Sequence, residues 1–103
     1  MMPKFLVKWK LNHHTFPTDP EEQGKVVTSL FQMVKDDVAA GVCLDWAMFP
    51  EVNQGISFSN ENEEELSAIL MKYYPYILHE VKPLVSLDQA MRAFQKSVET
   101  MKK

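Results

Sequence analysis

Residues Lys4 to Leu11 alternate, with Phe5, Val7, Trp9 and Leu11 on one side of the chain and Lys4, Leu6, Lys8 and Lys10 on the other. A period of two is that of a β-strand. After the polar loop Asn12 to Thr18, the run Asp19-Pro20-Glu21-Glu22 offers a capping carboxylate, a proline suited to the first helical position and an acid at the positive helix end. The spacing predicts a helix of about five turns from Pro20. Val27, Leu30, Phe31, Val34 and Val38 form its apolar face, and Gly41 supplies the left-handed residue that ends it. Val42 to Phe49 then reads as a second strand, Pro50 to Gly55 as a turn and Ile56 to Ser59 as a short third strand. Caps and first-turn acids in Asn60 to Glu65 predict a second helix with Leu66, Ile69, Leu70 and Tyr73 buried, stopped by Pro75. Tyr76 to Lys82 reads as a fourth strand. Ser86 and Gln89 have capping-box spacing, and Leu87, Met91, Phe94, Val98 and Met101 make one face of a last helix.

The order β-α-β-β-α-β-α is that of an α+β, ferredoxin-like βαββαβ unit with an extra C-terminal helix. It predicts a four-stranded antiparallel sheet in the order 4-1-3-2, with the first two helices on one face. Both faces of that sheet carry apolar residues, because Leu6, Phe49 and Leu78 oppose the side of Phe5, Val7 and Trp9. Two crossover helices cover one face only. Leaving the other in water costs ~25 cal/mol per Å² of apolar surface, so a homodimer formed through the open sheet face is expected.

Composition narrows the class. The 103 residues suit a single domain over 1–103, and 46% hydrophobic with 24% charged is ordinary for a folded protein. A net charge of −3 argues against nucleic-acid binding, whose phosphate contacts call for a Lys/Arg surplus. The most apolar stretch, Val38 to Pro50, is interrupted by Asp45 and falls short of the ~20 residues that span a bilayer, so no membrane partner is expected. Met1 to Lys10 lacks an uninterrupted apolar core and a small-residue cleavage site, and the single cysteine, Cys43, makes no internal disulfide; a cytoplasmic location follows as an expectation.

Candidate chemistry is sparse. His13 and His14 follow the first strand, where they read either as a solvated polar loop or as a titratable edge of a cleft. Two adjacent histidines lack the i,i+4 geometry of a metal site, and no metal or cofactor is expected. Lys8, Asp45, Ser57 and Glu80 share the less apolar parity of their strands. They read either as acid–base groups or, for Lys8 and Glu80, as a cross-strand ion pair. Cys43 reads as a packed residue rather than a nucleophile. Candidate catalytic groups are therefore His14, Asp45, His79 and Glu80. Trp9, His13, His14, Phe16 and Trp46 are the candidate ligand-binding set, placed between the sheet and the first two helices near the end of the first strand. No phosphate loop, nucleophile elbow or HExxH is present.

Lys4-Phe5-Leu6-Val7-Lys8-Trp9, Glu65-Leu66 with Leu70, and Tyr74-Pro75-Tyr76-Ile77 through Glu80-Val81-Lys82-Pro83-Leu84 resemble the dimeric α+β barrel superfamily. Within it the chain is similar to the muconolactone isomerase-like proteins and related short families of unknown function, over residues 4 to 94. Ser86 begins an added helix where those isomerases end in a His-Pro tail, and Leu44-Asp45-Trp46 stands where they place Trp-Arg, so no catalytic residue is carried over. The resemblance implies a dimeric barrel. Two functions follow from it: a protein that binds a small apolar or aromatic metabolite or acts as an interaction module, or a cofactor-independent isomerase or monooxygenase that moves a proton next to a carbonyl.

Overall fold

A computed structural model describes residues 3–102; Met1, Met2 and Lys103, the ends of the single domain read over 1–103, lie outside the described residues. The elements are β1 (Phe5–Leu11), α1 (Pro20–Ala39), β2 (Asp45–Met48), β3 (Gln54–Ser59), α2 (Glu63–Met71), β4 (Ile77–Pro83) and α3 (Leu87–Met101). Each helix starts where its side chains can replace the missing backbone acceptors. Asp19 accepts from the Glu22 amide, Asn62 accepts from the Glu65 amide, and Ser86 and Gln89 complete a reciprocal capping box. Gly41, at φ 78°, lies just beyond the end of α1.

The sheet is antiparallel in the order β2-β3-β1-β4, the predicted order read from the other edge. With its two crossover helices it is a ferredoxin-like α+β fold, extended by α3. No helix among the described residues is long and apolar enough to cross a membrane. The predicted second strand, Val42 to Phe49, is shorter than expected. The Val42 and Cys43 amides bond to the Asp37 carbonyl, so that stretch turns back toward α1 before the ladder begins.

Register assigns the faces. Phe5, Val7 and Trp9 lie opposite Ser59, Ser57 and Gly55 on one side, and opposite Pro83, Val81 and His79 on the other. This is the covered face: Leu66 and Leu70 of α2 pack on Phe5 and Val7, while Leu30, Met33 and Val34 of α1 pack with Trp9 and Trp46. Ser57 is thus on the covered face, a correction to its grouping with Lys8, Asp45 and Glu80. The open face carries Leu6, Ile56, Phe58, Ala47 and Leu78 among Lys8, Lys10, Glu80, Lys82 and Asp45.

Gly55 is buried on the covered face, and a Cβ there would strike the Ala47 carbonyl oxygen and lie 2.6 Å from Trp9 Cζ2. Its missing side chain lets the Trp9 indole lie over β3 and stack on Trp46, centroids 5.2 Å apart and planes 8° from parallel. Such a pair contributes ~1 kcal/mol beyond its buried area. Since backbone on one side and a packed ring on the other cannot move aside, Gly55→Ala should cost about 2–3 kcal/mol, read as a fall of ~10 °C or more in Tm by calorimetry. An unchanged Tm would refute this packing.

Candidate functional site

Between the sheet and the helices α1 and α2 is a cavity of about 120 Å³. Most of its wall is apolar: Trp9, Trp46, Leu30, Val34 and Ile77 are among the lining residues. Besides the Ser57 and Ser59 hydroxyls, four titratable groups line it. They are Asp37 near the end of α1, Cys43 after it, Tyr73 after α2 and His79 on β4.

Asp37 is 5% exposed although it is charged and helical. Its Oδ2 accepts a 2.5 Å hydrogen bond from the Tyr73 hydroxyl, and its Oδ1 a 2.6 Å bond from Lys72 Nζ. Lys72 is half exposed, so its ammonium keeps contact with water while neutralising the buried acid. Burial, then the hydrogen bond to Asp37, pushes the Tyr73 hydroxyl well above its ordinary value. Burial and the nearby Asp37 carboxylate raise the Cys43 thiol, which its backbone contacts only partly offset. A thiol held protonated is a poor nucleophile.

His79 points its ring edge-on at Tyr73, centroids 5.8 Å apart. Burial lowers its imidazole from an ordinary 6.5 to about 4. The ring is therefore neutral across the physiological range, with one nitrogen a donor and the other an acceptor.

The sequence-derived candidates divide. Trp9, Trp46 and His79 line the cavity. His13 and His14 are exposed in the β1–α1 loop, which folds away from it: the His14 amide bonds to Asn12 Oδ1, and Asn12 Nδ2 and Thr15 Oγ1 both donate to the Pro75 carbonyl. Phe16 is also displaced from the expected cleft, since its ring meets Tyr76 edge-on at 6.4 Å. Asp45 is exposed on β2 with its carboxylate bonded to the Trp46 amide. Glu80 is exposed on the open face, where the Lys82 ammonium 3.0 Å away holds its carboxyl below the usual range, helped by Lys8 across the strand pair. None of these five lines the cavity.

Sequence reading missed Asp37 and Tyr73 as partners. The available signal was spacing: Leu30, Val34 and Asp37 follow one another at four and three residues, which places the acid on the apolar stripe. Val38, assigned to that stripe, is 45% exposed.

No protein-family model matches the chain, and no curated protein is significantly similar to it.

Two outcomes follow from these contacts. Asp37→Ala leaves Tyr73 without its acceptor and Lys72 without its counter-ion, and should destabilise the fold by about 2–3 kcal/mol, while Asp37→Asn, which keeps an acceptor for Tyr73, should lose clearly less. Urea unfolding of both variants checks the order; equal losses would mean the hydroxyl bond contributes nothing. For His79 the folded pKa is depressed, so the unfolded chain takes up the proton first as pH falls. Its contribution is fully present above about 6.5 and is lost progressively down to about 4. Between pH 7 and pH 4.5 the native protein should therefore lose ~2 kcal/mol more stability than His79→Gln, which does not titrate. Parallel pH profiles for the two proteins would contradict the burial of the ring.

Proposed function

We propose that this chain is a small-molecule-binding protein related to the dimeric α+β barrels, holding an uncharged apolar or aromatic metabolite of about one ring between the sheet and its two crossover helices. The observation that carries this is the cavity: about 120 Å³, walled by the stacked Trp9–Trp46 pair and aliphatic side chains. A dry apolar cavity of ~150 Å³ accepts benzene, so the volume suits a single ring or a short branched chain. The polar groups present fit binding better than turnover. The Tyr73 hydroxyl is engaged by Asp37, the Cys43 thiol is held protonated, and a His79 imidazole at about 4 is a weak base at neutral pH. Neutral His79 still offers one directional hydrogen bond, enough to orient a ligand that carries a single oxygen.

The assembly proposed with this function is a homodimer over the open sheet face, where Leu6, Ile56, Phe58 and Leu78 lie without a covering helix from their own chain.

The test uses the intrinsic probe that the site supplies. Trp9 and Trp46 are the two tryptophans of the chain, and both line the cavity, so every indole reports on an occupant. Titration with toluene and phenol should give a saturable change in tryptophan emission, and saturating ligand at ~100 Kd should raise Tm by about 10 °C or more. Absence of a saturable signal from either probe, with no change in Tm, would overturn the binding role.

A further inference from the structure

The surface that remains unexplained is α3. Leu87, Met91, Phe94, Val98 and Met101 fall within one narrow stripe at spacings of three and four, yet Leu87 is 74%, Phe94 69% and Met101 76% exposed. The helix does not fold back on its own domain. Pro83 ends β4, the Leu84 amide extends the ladder by bonding to the Lys4 carbonyl, and the Ser86 box starts α3 only two residues later. The molecule is accordingly elongated, 64 × 27 × 26 Å.

We infer that α3 is an exchanged arm: in a homodimer each copy lays the Leu87–Met101 stripe across the open sheet face of the other. This rests on the reading of that face as the dimer interface, and it puts helix on sheet there in place of the sheet-on-sheet packing of a barrel. Three observations choose a second copy as the occupant. The chain has two uncovered apolar surfaces of matching size, since a 15-residue helix is ~22 Å long and a four-stranded sheet is roughly 15–20 Å across. A two-fold axis satisfies both surfaces of both chains at once and closes the assembly, with helix on sheet twice removing on the order of the ~1,600 Å² of a standard interface. The third is the pair of lysines on the central strand. Lys8 and Lys10 project from the middle of the open face, where flat stacking of two sheets would bury their ammonium groups. A helix laid diagonally lets their stems lie along it and their charges reach water.

The experiment is a charge-exchange cycle in the full chain. Phe94→Glu and Leu78→Lys, each verified by circular dichroism, are weighed by light scattering alone and as an equimolar mixture. The native protein should have twice the 11.9 kDa chain mass, and each variant alone should fall to the chain mass. The mixture should return to twice that mass, because one of its two helix-on-sheet contacts is native and the other sets the introduced glutamate against the introduced lysine. The sign-reversed pair, Phe94→Lys with Leu78→Glu, should behave identically and guards against a folding defect in either first variant. A dimer that survives Phe94→Glu would overturn the arm and leave the open-face dimer standing. A mixture that stays at the chain mass would overturn the exchange, and a native protein at the chain mass would overturn both.

Discussion

The helical layer is organised around one buried carboxylate. Hydrophobic contact is non-directional, and the apolar stripes of α1 and α2 would tolerate many placements over the same sheet. Asp37 removes that freedom. Its side chain holds Tyr73 and Lys72 at the end of α2, while its carbonyl holds the Val42 and Cys43 amides on the way to β2. One residue thus sets the end of α2 and the entry of an edge strand. Beside this anchor lies the cavity, where burial first and the Asp37 carboxylate second raise both the Cys43 thiol and the Tyr73 hydroxyl.

The opposite wall depends on an absence. Gly55 gives Trp9 room to lie flat, and Trp46, brought alongside by the β2–β3 register, stacks on it. Phe31 of α1 then meets Trp46 edge-on, centroids 6.0 Å apart. A cavity built this way has a rigid aromatic side and a polar side whose groups are neutral or already bonded. That combination suits recognition by shape and a few directional hydrogen bonds, from neutral His79 and from Trp9 Nε1, a buried donor without a partner among the described residues.

Local signals made the architecture legible. The caps at Asp19 and Ser86 and the alternation around Val7 are written within a few residues and agree with the observed elements, while β3 begins at Gln54, two residues inside the predicted turn. Strand order followed because the connections permit few arrangements. The site was less legible because its polar core joins positions 36 residues apart, Asp37 and Tyr73, a distance at which no spacing rule operates. Of the predicted α1 face, Val27, Leu30, Phe31 and Val34 do line the cavity; the reading missed the last turn, where Asp37 and Val38 both continue the stripe from Val34 and apolar character chose Val38. The histidines misled for a similar reason. Nothing local in His13 and His14 indicates that Asn12 and Thr15 tie their loop to Pro75 and leave them in solvent.

The same contrast between local and long-range forces bears on α3. Its capping box and helix-forming residues specify a helix without reference to the rest of the chain. Yet isolated helices shorter than about 12–15 residues are marginal in water, and most helical stability in proteins comes from packing an apolar face. At 15 residues, with that face uncovered by its own domain, α3 stands at this margin. Under the exchange proposed above, the partner's sheet would cover the stripe and couple the folding of the last helix to association. The βαββαβ unit closes its own core by β4, so the apolar stripe of the added helix is left without a surface of its own domain to pack on.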